Sequence, residues 1–383
     1  MTGRDAPRLP APTGPVDLLL VAGEHSGDEH AARMLRGLGR LRPGLRVAAL
    51  GGPRLAAAGA QLLLDRTAVS VVGLGEVLRH RAYFLGVIEA TVAWIGRHRP
   101  AAVCFVDNSG VNLRIAEALR LRGISAKGGG TVRTLYYISP QIWASRAGRR
   151  FDMARNLDAL AVIFPFEAAC YADTGLPVEF VGHPFLAPDY TPPVRHDPAG
   201  PVLLLPGSRA KAVAAIFPAV LGGYRAYAAA NPGRGAVVLY PSPAIRSVLE
   251  TFPLPPDVRL QPAGVPVGAA AVLTSSGTMS MHCALAGIPG AIAYRTDRFT
   301  YLIARWLVRV PYLGIANILL GEPMYPEFIQ GAAEPARLCR EIEASLGDPD
   351  RRARTSEQAG RLRSMLAQGP GHTESAWLAG HLP

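Results

Sequence analysis

The chain has 383 residues, 49% of them hydrophobic, which is more than one core usually holds and predicts two folded domains. Forty Lys and Arg against 29 Asp and Glu give a formal charge of +11, so the partners to expect are anionic: phosphorylated ligands, an acidic membrane surface or nucleic acid. An aromatic content of 7%, with no RNP-like stretch and no basic heptads, argues against nucleic acid, and four scattered cysteines without a CxxC pair exclude a disulfide framework and a zinc site.

Residues 1–17 are Pro-rich and polar and lack the apolar centre of a signal peptide, which predicts a loose tail and a protein of the reducing cytoplasm. The apolar run 18–22 then breaks at Gly23 into Glu24-His25-Ser26-Gly27-Asp28 before a helix-like segment. Such a strand–loop–helix unit turns backbone N–H groups toward the carboxyl edge of a parallel sheet, where α/β proteins collect anionic and polyhydroxyl ligands. Its spacing is neither GxGxxG nor a Walker A loop. Ser26 and Asp28 either cap the helix or face a ligand. Further strands are predicted at 47–50, 102–106, 134–138, 160–163 and 178–181, and their alternation with helical segments implies a parallel sheet. In 69–85, apolar side chains stand beside Arg79, His80 and Arg81, which suits a bilayer surface as well as ordinary core packing. Asp107 follows a strand, where it can deprotonate a substrate hydroxyl or cap the next helix. The run from Tyr136 to Arg146 offers aromatic faces, hydroxyls and a cation, a set that suits a sugar or a packed core.

The Pro- and Gly-rich stretch His183–Pro201 reads as an interdomain connector, and a second series of strands follows at 202–205, 236–240, 270–274 and 291–294. Gly207-Ser208-Arg209 and Ser275-Ser276-Gly277-Thr278 each lie between a strand and a helix, where backbone N–H groups and a guanidinium suit phosphate oxygens. Two such turns in one domain point to a nucleotide diphosphate. No Asp, Glu, Lys or Arg occurs from Gln261 to Tyr294, yet Pro266, the 274–278 cluster, His282 and the 287–290 turn split this run, which predicts buried α/β core instead of a membrane span. The expected layout is a tail at 1–17, a first domain at 18–190, a second at 200–340 and C-terminal helices at 341–383.

The ordered set AGEHSGDEH, GGPRLAAAG, VVGLGEVL, VDNSGVN, YYISPQIWA, FPFEAACY, FVGHP, LLPGSR, SSGT, AYR and NILLGEPMYPEFIQ, spread over 18–330, resembles the lipid-A-disaccharide synthase family. The resemblance implies an α/β fold of two Rossmann-like domains facing a cleft, the GT-B glycosyltransferase architecture. It further implies inverting, metal-independent transfer of 2,3-diacylglucosamine from its UDP conjugate to the 6-hydroxyl of 2,3-diacylglucosamine 1-phosphate, giving a β-1,6 disaccharide and UDP, with no cofactor. Asp107 matches the first Asp of the family's IDAPDFN motif, the expected base. Glu24 and the catalytic candidates Ser26 and Asp28 match the loop facing acceptor and reaction centre. Gly207, Ser208, Arg209, Ser276, Gly277, Thr278, Asn317 and Gln330 match the nucleotide-sugar side, where positive groups would stabilise the departing diphosphate in place of a metal ion. The implied partners are UDP-diacylglucosamine, acylated glucosamine 1-phosphate and the inner face of a Gram-negative inner membrane, with no nucleic acid.

The chain departs from the pattern at Ala212 and His282, where the family has Glu, at Gly110, where it has the second Asp of IDAPDFN, and in an insertion around 125–132 expected to form a flexible loop. A carboxylate at the first two positions commonly binds the nucleotide ribose in GT-B enzymes, so divergence is expected in donor recognition. The departures keep two alternatives open: a GT-B enzyme acting on another UDP-sugar, including an epimerase-like activity, and a catalytically silent paralogue that binds acylated sugars. UDP binding separates both enzyme readings from the silent one.

Overall fold

The computed structural model describes residues 7–67, 77–296, 311–367 and 373–383. Two compact units emerge, one of residues 1–184 with 366–383, the other of 185–365.

The first unit runs β1 (Leu18–Ala22), α1 (His25–Leu41), β2 (Val47–Gly51), α2 (Pro53–Ala57), β3 (Gln61–Asp65), α3 (Val77–His98), β4 (Ala102–Val106), α4 (Ser109–Leu121), β5 (Arg133–Tyr137), α5 (Arg149–Asn156), β6 (Ala159–Val162) and β7 (Val178–Phe180). Its strands form one parallel sheet of seven, ordered β3-β2-β1-β4-β5-β6-β7. Helices cover both faces, which is why the central strands are apolar along their whole length. Alternate side chains serve two cores: Leu19, Val21, Val103, Phe105 and Tyr136 enter one, and Leu18, Leu20, Cys104, Leu135 and Tyr137 the other.

The second unit runs β8 (Val194–His196), β9 (Val202–Leu205), α6 (Ala210–Ala230), β10 (Ala236–Tyr240), α7 (Pro243–Glu250), β11 (Val258–Pro262), β12 (Val267–Ala269), β13 (Ala271–Thr274), α8 (Thr278–Leu285), β14 (Gly290–Tyr294), α9 (Ile315–Leu320), β15 (Glu327–Ile329), α10 (Pro335–Gly347) and α11 (Pro349–Leu366). Six strands form a parallel sheet ordered β11-β10-β9-β13-β14-β15, and β8 pairs with β12. The uncharged run 261–294 supplies β12, β13, α8 and β14 to this core. Among the described residues, α6 is long and apolar enough to cross a membrane, yet Val213, Ile216, Phe217, Val220 and Tyr224 are buried in the second core, which marks a central helix of the unit.

The last helix, α12 (Glu374–Gly380), belongs to the first unit, so the C-terminal helices expected at 341–383 are shared between the two units. It packs on α1: Trp377 and Leu378 join the core of Leu18 and Leu20, Arg33 Nε meets Glu374 Oε1 at 3.3 Å, and the Ser375 hydroxyl donates to the Met34 carbonyl at 3.0 Å.

The insertion 125–132 corrects the expectation of a flexible loop. A short 3₁₀ turn closes it, with Ala126 N–H donating to Val132 O at 2.8 Å and Gly128 and Gly130 N–H to Ser125 O at 2.9 Å. Residues 69–76 of the apolar–basic segment 69–85 lie outside the described residues, as do the side chains of 77–81; Phe84 and Leu85 are exposed.

Candidate active site

In each sheet the strand order reverses once, between β1 and β4 in the first and between β9 and β13 in the second. Loops leaving the two strands at a reversal diverge toward opposite faces and open a crevice at the carboxyl edge. Residues 24–28 and 107–112 follow β1 and β4, and 207–209 and 275–278 follow β9 and β13, so every cluster of candidates except Asn317 and Gln330 lies at such a point.

Asp107 leaves β4 with φ +51° and Asn108 follows at +44°. Left-handed backbone costs a non-glycine residue on the order of 1 kcal/mol, is tolerated best by Asp and Asn, and gathers at functional sites. Three hydrogen bonds hold the turn: the Asp107 N–H donates to Tyr137 O at 3.0 Å, and its carbonyl accepts from Asn112 Nδ2 at 2.8 Å and from the Tyr136 hydroxyl at 2.5 Å. Asn112 Nδ2 also lies 3.3 Å from the carbonyls of Val21 and Val106, so one buried amide gathers the ends of β1 and β4. Burial pushes the Asp107 carboxyl above its ordinary range; the Asn108 N–H pulls it down and nearby Glu24 pushes it up. A carboxylate made more basic than a free Asp is better suited to accept a proton. The capping alternative does not hold, because Asn108 is the N-cap residue of α4 and no side chain caps that helix. Gly23 belongs to the same turn: a Cβ there would lie 1.8 Å from Asn108 Nδ2.

Glu24 is the N-cap residue of α1 but makes no side-chain capping bond, and Ser26 is exposed on the first turn. Asp28, expected as a catalytic group, is engaged in holding a helix. It is 1% exposed, and its carboxylate accepts from the backbone N–H groups of Gly52 at 2.8 Å, Arg54 at 3.0 Å and Leu55 at 3.2 Å. It caps α2, not its own helix, and both of its oxygens are engaged by backbone donors.

Two nearby cations escaped the sequence reading. Arg66 is buried, with Nη1 3.4 Å from the Ala22 carbonyl; burial lowers its pKa to about 10 against the raising effects of Tyr83 and Glu24. Its signal was hidden because it follows β3, a strand that was not predicted. Arg149 Nη1 donates to Ser109 Oγ at 3.1 Å, at the start of α4. Trp143 is half-buried, its indole N–H donating to Glu167 Oε1 at 3.3 Å and its ring edge-on to Phe164 and Phe166. Glu167 is itself buried, which raises it to about 7 against the backbone donor of Phe164 and the Trp143 indole.

In the second unit, Ser275 N–H donates to Leu205 O at 2.8 Å and so holds the two candidate turns side by side. Gly207, at φ +118°, takes a conformation open chiefly to glycine. Arg209 and Gly277 are the N-cap residues of α6 and α8, and neither helix has a side-chain cap. The first-turn N–H groups of both therefore lack a side-chain acceptor, which is the arrangement that takes up anions. Ser208, Arg209, Gly277 and Thr278 are exposed there and Ser276 is half-buried.

Asn317 and Gln330, expected on the nucleotide-sugar side, are both engaged within the second unit. Asn317 is fully buried: Nδ2 donates to Tyr325 O at 2.7 Å and Glu327 Oε1 at 2.8 Å, and Oδ1 accepts from Tyr325 N–H at 3.0 Å. Gln330 exchanges both amide groups with the backbone of Thr296 at 3.0 Å. Both hold loops together. Glu327, which the sequence reading missed, completes the staple by accepting from Leu313 N–H at 2.9 Å and Gly314 N–H at 2.9 Å.

The family profile described as lipid-A-disaccharide synthetase matches residues 18–370. The chain belongs to that family. The lipid-A-disaccharide synthase of Anaeromyxobacter dehalogenans (strain 2CP-C) is 36% identical over 364 residues, covering 91% of this chain and 92% of that one. That of Geobacter metallireducens is 34% identical over 378 residues, covering 92% and 93%. Among solved structures, the glycotransferase of kitacinnamycin aligns with a TM-score of 0.61 at 17% identity over 98% of this chain and 100% of that one. A UGT transferase from Siraitia grosvenorii aligns at 0.55 and 13% identity, covering 95% and 98%. These structural likenesses show the fold, a GT-B arrangement of two Rossmann-like units.

The departures from the family pattern have different structural consequences. His282 is buried on α8, its ring stacked on Phe185 at 3.9 Å and its Nε2 paired with the Tyr190 hydroxyl at 3.2 Å. Burial lowers it to about 4, so it is a neutral member of an aromatic stack. Ala212 lies against the second core, and Gly110 is exposed on the first turn of α4.

Proposed function

We propose that this glycosyltransferase is a lipid-A-disaccharide synthase. It transfers 2,3-diacylglucosamine from the UDP conjugate to the 6-hydroxyl of 2,3-diacylglucosamine 1-phosphate with inversion, independently of metal. Asp107 takes the hydroxyl proton as that oxygen attacks the anomeric carbon, and the bond to the diphosphate breaks. The N-termini of α6 and α8, with Ser208, Arg209, Ser276 and Thr278, take the charge of the leaving UDP, a duty that preorganised donors perform without a metal ion. The observation that carries this reading is Asp107, a strained carboxylate at a switch point whose surroundings raise its basicity. Peripheral contact with the cytoplasmic face of the inner membrane is supported by the +11 charge and the exposed Phe84 and Leu85.

The burial of His282 favours a second reading, a related enzyme acting on a different UDP-sugar, because no carboxylate stands at 212 or 282. Incubation of purified protein with both acylated substrates without added metal, followed by mass spectrometry, separates the two. Disaccharide is the expected product. Protein that binds UDP and forms none supports the second reading, and protein that neither binds UDP nor turns over overturns both. Arg209→Ala is expected to weaken UDP binding about tenfold, the loss of one charge-assisted contact.

A further inference from the structure

We infer that Tyr136 and Asn112 are positioning residues for the transfer reaction, clamping the main-chain carbonyl of Asp107 and thereby fixing the direction of its carboxyl group. The inference rests on the reading of Asp107 as the base.

Two donors converge on one oxygen, the Tyr136 hydroxyl at 2.5 Å and Asn112 Nδ2 at 2.8 Å. A backbone carbonyl just past the end of a strand needs a single donor to be satisfied, and water serves at an edge. Here both donors come from protein, and both side chains are 0% exposed, one on β5 and one on α4. The Asp107 N–H is tied as well, to Tyr137 O at 3.0 Å, so the peptide groups on either side of its Cα are held by β5 and α4. This matters because φ of +51° at Asp107 and +44° at Asn108 is a conformation that persists only where surroundings over-determine it. Released from the clamp, the pair would relax toward ordinary backbone, and the carboxyl would swing with it. Neither residue needs to touch a reactant for the effect to be large.

Tyr136→Phe removes one hydroxyl and leaves the ring against Phe105, at 6.2 Å between centroids. The expected result is a fall in kcat of about ten- to a hundredfold, the scale of an ångström's misplacement, with KM and UDP affinity unchanged. The acidic limb of the pH–kcat profile is expected to move, a readout that a merely structural role leaves in place. Asn112→Ala, which removes the other donor, is expected to move the same limb and keeps the test open should either variant fold poorly. In an Asp107→Asn background, Tyr136→Phe is expected to cause no further loss, because no base remains to be aimed. Wild-type kcat and an unmoved pH profile in Tyr136→Phe, or an equal proportional loss in both backgrounds, overturns the inference while leaving Asp107 as base. Full activity of Asp107→Asn alone overturns the base assignment and the clamp with it.

Discussion

Asp107, Gly23 and His282 show how far single residues can be argued from local chemistry. Asp107 was legible because a carboxylate after an apolar strand stands where parallel sheets place ligands; its backbone strain and its clamp were not, because they depend on β5 and α4. Asp107→Asn is expected to keep UDP affinity and lose about a hundredfold to ten-thousandfold in kcat, measured by steady-state kinetics beside UDP titration. Since burial raises its carboxyl above 3.8, activity is expected to fall with acidification through a midpoint above that value. At Gly23 the relevant contact is with Asn108, so Gly23→Ala is expected to cost about 1–3 kcal/mol on urea unfolding and to lower kcat, since the added methyl must displace a side chain of the turn at Asp107. Wild-type values for both would show that Asn108 is free to move. His282 has a pKa of about 4 when folded against 6.5 as its ordinary value, so the unfolded chain binds more protons between them. Its contribution is complete above pH 6.5 and is lost as pH falls toward 4, an effect of roughly 3 kcal/mol at most at the usual worth of one pKa unit. Urea unfolding followed from pH 7 to 4 should show this slope, and His282→Phe should flatten it.

Strands differed in legibility according to their place in the sheet. Interior strands such as Leu18–Ala22 and Val202–Leu205 are apolar from end to end because helices bury both faces, and they were found to within a residue or two. The edge strands Gln61–Asp65, Val258–Pro262 and Glu327–Ile329 are only partly buried and carry polar residues, so no apolar contrast announced them, whereas the edge strand Val178–Phe180 was found because the apolar Val178, Phe180 and Val181 mark it. The missed β3 then concealed Arg66. The short helix α2 presents a related case, since five residues cannot hold a helix without help, and the help comes from Asp28 on α1. Asp28→Ala is expected to destabilise the first unit by about 1–3 kcal/mol, as buried N–H groups lose their acceptor, with a lowered Tm and little change in kcat per folded molecule. A large loss of kcat at unchanged Tm would restore Asp28 to the reaction.

For the molecule as a whole, the chain crosses from the first unit to the second after residue 184 and returns near 366. The returning segment brings Trp377, Leu378 and Leu382 to the face of the sheet that holds Leu18 and Leu20, and Glu374 to Arg33. Trp377→Ala is expected to cost about 3–5 kcal/mol, read in chemical denaturation of the full chain. A loss below 1 kcal/mol would mean that the helix is an accessory to the first core. The amino-acid sequence determined the α/β class, the interior strands and the two pairs of loops that follow the switch-point strands, because apolar runs and turn residues are local properties and the order of motifs is family-specific. Tertiary structure decided which polar side chains are engaged within the protein. Asp28, Asn317, Gln330 and His282 look alike in sequence to residues that bind ligands, yet each is engaged by a partner or buried in a stack that only folding brings together. Tyr136 and Asn112 hold the backbone of Asp107, an arrangement that requires a strand end, the neighbouring strand and the following helix to meet at one oxygen.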